Sequence, residues 1–523
     1  MTYLTVPIAA RDLPQAKALI GRALAAGAEM LELRTDYLAN LTVESFGAML
    51  AETRALTGPD VPVIVTCRDL QEGGAHDYPV ALRVEILLAA IEAGAEFVDF
   101  EFANLTAGGP GSRIAAALAG AAHTRLILSA HEFEGPFRDL RQLHAKMLMA
   151  CPQAIAKLAY HADHINDCFA AFDLLRETAG DTVVLCMGQA GLICRILARK
   201  LGGLVTFSSI DERAATAPGQ LTAAELKGSY RHDRLDAETE LFGVIADPVA
   251  HSLSPAIHNA CFAERGMNRL YLPLLVEGGR GQLFDFFDNV LARPWLTFRG
   301  FSVTIPHKHD TLEYVRERGG IVEPLAEQIG AANTVIIDGR GRLRAYNTDY
   351  AGALDAITAG MGIERRDLQD VPVAVVGAGG VSRAIVAGLR DAGAQIKIYN
   401  RTIERAERLA ADFDCEFARL DELPSLDARL VVNCTSIGMH PRVDRSPVPA
   451  AVLGPGMAVF DTVYNPAETL LLKQAKAAGA NTIDGIAMFV NQAAAQFHLF
   501  TGQPANTTLM RRVVVSALSA SQT

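Results

Sequence analysis

One helix-to-strand joint occurs twice near the start of this chain, as AAGAEMLELR (Ala25 to Arg34) and EAGAEFVDFE (Glu92 to Glu101). In each, a glycine stops a helix, an apolar run follows at once, and acids stand at the end of that run. Such runs read as strands buried on both faces, delivered by helices. Similar runs lie at Leu4–Ile8, Met30–Leu33, Val61–Thr66, Phe97–Phe100, Leu126–Ser129, Ala154–Leu158, Thr182–Met187 and Leu204–Phe207. Eight β–α units in about 225 residues predict a TIM (β/α)8 barrel, whose chemistry sits at the C-terminal ends of the strands. In the first helix, Asp12 is the N-cap, Leu19, Ile20 and Leu24 mark the apolar face, and Gly27 is the stop.

A barrel uses under half of the 523 residues, and the length predicts about three structural domains. Residues 226–241 are polar without apolar periodicity and read as a joint. A second α/β pattern opens with FGVIADPVAHSLSPAIHNACF, where Pro255 at a helix start follows Ser254. The net charge of −11 and the lack of a basic stripe argue against nucleic acid as partner. The eight scattered cysteines form no C-x-x-C pair, which predicts reduced thiols in a reducing compartment. No signal peptide or membrane-spanning run is evident, so the expectation is a cytoplasmic protein with small-molecule substrates. HADH (His161 to His164) reads as a helix start rather than a metal site, because no third ligand is near.

The polar residues of the first half gather at strand ends. Glu32 and Arg34 close strand two, Arg68 follows strand three, Asp99 and Glu101 close strand four, His131 follows strand five and Arg195 follows strand seven. Lys157 lies within strand six. A lysine there either snorkels out or is desolvated into a nucleophilic amine able to form a Schiff base. His131 as proton carrier, with Glu72 orienting its imidazole, favours the amine. Arg34, Arg68 and Arg195 offer handles to a substrate bearing a carboxylate and hydroxyls, although a single arginine is more often a surface charge.

Through ELRTD, TCRDLQEGG, LSAHEF, AKLA, MGQAGLICRI and ATAPGQ, residues 1–228 resemble the type I 3-dehydroquinate dehydratases. The resemblance implies that Lys157 forms an imine with the substrate ketone and that His131, held by Glu72, moves the proton. It implies that Arg195, Thr216 and Gln220 bind the carboxylate, and that Glu32, Arg34 and Arg68 bind ring hydroxyls. The chain departs from the family pattern after His131, where Thr-Pro is missing, and at Cys194 and Thr216, which stand where serine is usual.

In the second half, SVTIPHK reads as a strand ended by Pro306 that delivers Lys308 into a loop. VPVAVVGAGGVSRAIVAGLRDAGAQIKIYNRT reads as strand, glycine turn, helix and second strand. Gly377 and Gly379 fill the first two glycine positions of a dinucleotide fingerprint, and Ser382 takes the third. The second strand ends in Asn400, Arg401 and Thr402 rather than an acid, which favours NADP over NAD.

With HSLSP, GAANTV, NTDYAG, NCTSIGM, DTVYNP and DGIAMFVNQAA added, residues 241–520 resemble shikimate dehydrogenase. The resemblance implies Lys308 and Asp349 as the catalytic pair and Ser252 and Ser254 on the substrate carboxylate. It places Thr304, Asn333, Tyr464 and Gln492 around the ring. Gly377, Ala378, Gly379, Gly380 and Val381 would hold the NADP pyrophosphate, and Asn400, Arg401, Thr402 and Arg405 the 2′-phosphate end. Thr435, Thr462, Gly485 and Met488 would line the nicotinamide. Ser302 stands where bacterial members carry asparagine, and Ala246 and Ala487 where glycine is common.

The expected architecture is α/β: a TIM barrel (1–228), a substrate-binding domain (241–350), a Rossmann NADP domain (351–480) and C-terminal helices returning to the substrate domain (481–523). The expected activity is dehydration of 3-dehydroquinate to 3-dehydroshikimate, followed by NADPH-dependent reduction to shikimate. The rivals are a catabolic fusion using quinate and NAD, a metabolite sensor with dead sites, and a class I aldolase fused to a dehydrogenase. Retention of all four residues Lys157, His131, Lys308 and Asp349 speaks against the sensor.

Overall fold

The computed structural model describes residues 2–105, 109–121, 123–178, 182–211, 219–250 and 252–520. Thr216 and His251 lie outside the described residues. The chain divides into two compact units, Met1–Thr239 with Leu274–Ala292, and Glu240–Pro273 with Arg293–Thr523.

The first unit carries eight parallel strands: β1 (Tyr3–Ile8), β2 (Met30–Arg34), β3 (Val63–Thr66), β4 (Phe97–Glu101), β5 (Arg125–Glu132), β6 (Ile155–His161), β7 (Thr182–Met187) and β8 (Val205–Phe207). They pair in the order β7-β6-β5-β4-β3-β2-β1-β8. Leu204 N–H donates to Thr182 O at 3.1 Å, so the two ends of the sheet meet in a near-closed TIM-type barrel. Asp12 caps the first helix (Leu13–Ala25) by accepting from Gln15 N at 2.9 Å. Its buried face is Ala16, Ile20 and Ala23, while Leu19 and Leu24 are only half-buried. Two of the three expected face residues therefore lie at its margin.

Strand alternation explains the position of the polar residues. Met30, Ile64, Phe97, Ile127 and Ile155 form one apolar layer of the core. Two residues further along each strand, on the same face, stand Glu32, Thr66, Asp99, Ser129 and Lys157. The barrel interior thus changes from hydrocarbon to charge within one step of each strand. His131 lies inside β5, paired with Ala159, and not beyond the strand as expected. The strand continues because its backbone keeps a partner in β6, with His131 opposite Ala159 and Glu132 opposite Tyr160.

The second unit holds two sheets. The first contains β9 (Glu240–Ala246), β10 (Arg269–Leu275), β11 (Phe298–Val303), β12 (Ile321–Val322), β13 (Thr334–Ile337) and β14 (Leu343–Tyr346) in the mixed order β10-β9-β11-β13-β14-β12. The second contains β15 (Pro372–Val376), β16 (Gln395–Asn400), β17 (Glu416–Arg419), β18 (Leu430–Asn433), β19 (Ala458–Asp461) and β20 (Asn481–Ile483). All its pairings are parallel, in the order β17-β16-β15-β18-β19-β20, a doubly wound Rossmann sheet. The helix Gly485–Thr501 then lies along the helix Thr348–Met361 and against β11 and β13. A Cβ on Gly352 would stand 2.6 Å from Gln492 N, so this crossing requires glycine. Among the described residues no helix is long and apolar enough to cross a membrane.

Candidate active sites

In the barrel, a cavity of about 610 Å³ is lined by Glu32, Arg34, Arg68, Glu72, His131, Lys157, Arg195 and Gln220. These are all the described barrel residues to which the family resemblance gave a role; Thr216 lies outside the described residues. Leu185, Met187, Phe133 and Phe207 supply its apolar wall. Lys157 is 4% exposed, and its Nζ lies 2.8 Å from Asp99 Oδ2, 3.6 Å from Glu32 Oε1 and 4.7 Å from the Phe207 ring centre. Lys157 therefore does not snorkel out of the barrel; it is buried and rests in an ion pair.

Asp99 was not among the site residues named from the sequence. It is fully buried, accepts from Ser129 Oγ at 2.7 Å and pairs with Arg68 Nη2 at 2.8 Å. Burial alone would raise its carboxyl pKa, but Arg68 and Lys157 outweigh that and hold it well below the usual range. Asp99 is thus an anchor and not a proton acceptor. Its signal in the sequence was its phase, two residues beyond an inward core position.

Glu72 Oε2 accepts from both His131 Nδ1 (2.9 Å) and His131 N (3.2 Å). Burial pushes the Glu72 carboxyl up to about 7, against the pull of Arg68. Burial, with Arg68 and Lys157 nearby, drives the His131 imidazolium well below its ordinary range. A neutral imidazole whose Nδ1–H faces a carboxylate leaves Nε2 as a base.

Arg34 is clamped by Asp36 at 2.9 and 2.8 Å. Arg195 is 2% exposed, its Nε meets no partner, and no carboxylate pairs with it among the described residues. Burial lowers its pKa. A buried guanidinium without a counter-ion is costly, and an incoming carboxylate relieves that cost.

In the second unit, a cavity of about 1110 Å³ brings together Ser252, Ser254, Thr304, Lys308, Asn333, Asp349, Val381, Thr462, Tyr464, Gly485, Met488 and Gln492. Lys308 does not sit in a loop; it opens the helix Lys308–Glu317, because the turn after β11 closes at once through His307 N to Thr304 O at 2.9 Å. Lys308 Nζ meets Asp349 Oδ2 at 2.5 Å, and Asp349 Oδ1 accepts from Asn333 Nδ2 at 2.8 Å. The two sequence-distant residues therefore form one ion pair at the cavity edge.

Ser302 Oγ donates to Gln496 Oε1 at 3.0 Å and meets the hydroxyl of Tyr271, which stacks on buried His258 at 4.4 Å. Tyr271 and Gln496 were missed in the sequence. Tyr271 hides in RLYLPLL, which reads as plain core strand, and Gln496 in an alanine-rich helix.

Gly377, Ala378, Gly379, Gly380, Asn400, Arg401, Thr402, Arg405 and Thr435 are not part of that cavity; they lie at or beyond the C-terminal ends of β15, β16 and β18. Gly377 has φ +112°, and open space surrounds the Cβ positions of Gly379 and Gly380 at the start of the helix Gly380–Asp391. That is room for a pyrophosphate against backbone N–H groups. Arg401, Thr402 and Arg405 are exposed, and no carboxylate among the described residues engages either arginine. These residues fit a dinucleotide ending in a phosphate. Among the described residues no group of three or more His, Cys, Asp or Glu is placed to hold a metal ion.

A buried amine beside a neutral histidine base, on one barrel, and a Lys–Asp pair beside a dinucleotide fold, on another unit, define a two-activity enzyme: an imine-forming lyase joined to a nicotinamide-dependent dehydrogenase. Residues 4–236 match the type I 3-dehydroquinase family. Residues 244–335 match the shikimate dehydrogenase substrate binding domain, 361–460 the shikimate/quinate 5-dehydrogenase family and 485–515 the shikimate 5′-dehydrogenase C-terminal domain. The chloroplastic bifunctional 3-dehydroquinate dehydratase/shikimate dehydrogenase of Arabidopsis thaliana is 33% identical over 536 residues, covering 98% of this chain and 84% of its own. A shikimate dehydrogenase (NADP+) of Methanosarcina acetivorans is 40% identical over 292 residues, 54% of this chain and 99% of its own. A crystal structure of shikimate dehydrogenase in complex with NADP+ is 35% identical, covers 54% of this chain and 96% of its own, and has a TM-score of 0.49. The chain belongs to the bifunctional 3-dehydroquinate dehydratase/shikimate dehydrogenase family.

Proposed function

We propose that residues 1–228 dehydrate 3-dehydroquinate through an imine on Lys157, and that the rest of the chain reduces the product to shikimate with NADPH. The observation that carries the first half is the placement of Lys157, His131 and Arg195 on one cavity. Arg195 takes the carboxylate with Gln220, and Glu32, Arg34 and Arg68 take the ring hydroxyls. The Lys157 nitrogen attacks the ketone carbon, and the carbonyl oxygen leaves as water. His131 Nε2 removes a proton from the adjacent carbon, and the C–H electrons flow into the iminium. The resulting enamine expels the β-hydroxyl, which His131 protonates, and hydrolysis frees Lys157.

The base requires Glu72 as carboxylate, since only then does it hold Nδ1–H and leave Nε2 unprotonated. At about pH 7 Glu72 is half ionised; above it the carboxylate prevails, and below it Glu72 takes up a proton. The dehydratase kcat/KM is therefore expected to fall about tenfold per pH unit below neutrality. A profile flat from about pH 5.5 to 8 contradicts this assignment.

In the second half, NADPH supplies the hydride. Lys308, fixed by Asp349, holds the proton destined for the carbonyl oxygen. Ser252 and Ser254 bind the carboxylate, with Thr304, Asn333, Tyr464 and Gln492 around the ring. Arg401, Thr402 and Arg405 take the 2′-phosphate, which speaks against the catabolic NAD alternative; the Methanosarcina relatives carry the name shikimate dehydrogenase (NADP+). Converting Arg401 and Arg405 together to serine should raise KM for NADPH about ten- to a hundredfold, through lost charge-assisted hydrogen bonds, and leave KM for NADH nearly unchanged. Equal effects on both coenzymes in a steady-state assay would place the phosphate elsewhere. The scattered unpaired thiols support a reducing, cytoplasmic compartment.

A further inference from the structure

We infer that Arg83, which does not line the dehydratase cavity, is the positioning residue that keeps the imine-forming amine and the proton-carrying histidine in register. The inference rests on the roles given above to Lys157 and His131. Arg83 stands on the helix Val80–Glu92, is 2% exposed, and leaves its Nε without a partner. Its two remaining nitrogens reach two different carboxylates: Nη1 to Glu101 Oε2 at 2.7 Å and Nη2 to Asp69 Oδ2 at 2.6 Å.

Each carboxylate begins a separate arm. Asp69 caps the short turn Leu70–Glu72: its Oδ1 accepts from Gln71 N at 2.9 Å and its carbonyl from Glu72 N at 3.0 Å. That turn ends in Glu72, which holds His131. Along the other arm, Glu101 Oε1 accepts from Arg68 Nη1 at 2.9 Å, and Arg68 Nη2 pairs with Asp99 Oδ2 at 2.8 Å. The same Asp99 oxygen takes Lys157 Nζ at 2.8 Å. The alternating charges Lys157, Asp99, Arg68, Glu101, Arg83 and Asp69 thus connect the amine to the turn that aims the base.

Glu101 also accepts from Asp69 N at 3.0 Å, so the arms are cross-tied where Arg83 joins them. Helix-borne buried arginines commonly do no more than fasten a helix to its sheet. Here the guanidinium ties the turn that bears Glu72, the partner of His131, to the strand end that bears Asp99, the partner of Lys157, and His131 and Lys157 must stand within about 3–3.5 Å of neighbouring substrate atoms.

The test uses the full-length chain with Asp69→Asn and Arg83→Lys, reading borohydride trapping at Lys157, dehydratase kcat and KM, and shikimate dehydrogenase activity as a folding control. Asp69→Asn loosens only the histidine arm: trapping should keep wild-type stoichiometry while kcat falls about tenfold to a hundredfold and KM stays within about twofold. Arg83→Lys, which cannot span both carboxylates, should slow trapping as well as turnover. Wild-type kcat per trapped site in both variants overturns the inference. So does a trapped fraction that falls in step with kcat in Asp69→Asn, since that marks lost fold and not lost register. A wild-type chain that is not trapped at Lys157 overturns the imine reading itself, and this inference with it.

Discussion

Replacing Lys157 with alanine is expected to reduce dehydration of 3-dehydroquinate by about five orders of magnitude or more, while reduction of 3-dehydroshikimate continues at the wild-type rate. The size of the loss follows from the chemistry. Without an iminium, a neutral imidazole must break the C–H beside a plain ketone, whose uncharged carbonyl is a much weaker electron sink. Asp99 and Arg68 hold the alanine variant's empty site in a charged state, because Asp99 is fully buried and loses one of its two cations. That leaves a buried carboxylate under-compensated, so alanine also costs barrel stability. Lys157→Arg separates the two effects: it keeps a cation for Asp99 but offers no amine able to form an imine. Equal inactivity of both variants, with only alanine lowering Tm, is the expected pattern.

The mirror-image result is expected for Lys308→Ala. Shikimate dehydrogenase kcat should fall about a thousandfold, the usual scale for losing a positioned general acid, with dehydratase turnover untouched. Asp349→Asn removes only the partner at 2.5 Å and keeps the hydrogen-bond contact with Asn333 available, so its loss should be smaller, about ten- to a hundredfold. KM for NADPH should hardly change in either variant, since neither side chain lies among the glycine-turn or 2′-phosphate residues. Steady-state kinetics of both activities on one preparation decides this: each activity is the folding control for the other. A Lys308 variant that kept full turnover would move the proton donor to another group in the cavity.

The barrel strands were legible because each is a short apolar run, and Lys157, His131 and Arg195 stood out as charges within or just beyond such runs. What the charges would touch was not legible. Lys157 stood out as a desolvated amine or a snorkelling one, but nothing local showed that the barrel brings Asp99, two strands away, onto its nitrogen. Arg83 went unremarked in the sequence, since nothing local distinguishes an inward guanidinium from an exposed one. Tyr271 gave no signal because its hydroxyl finds Ser302, which itself bonds Gln496, only after three distant segments meet. Lys308 was misplaced into a loop because the proline before it masked a helix start. Motif spacing located the chemistry; long-range register determined its partners.

The most direct test is borohydride reduction of the full-length enzyme during turnover of 3-dehydroquinate, followed by peptide mapping. The account predicts one covalent adduct, with the mass of the reduced substrate or product imine, on the peptide carrying Lys157, and parallel loss of dehydratase but not dehydrogenase activity. Undiminished dehydration after reduction, or an adduct on any other lysine, would contradict it.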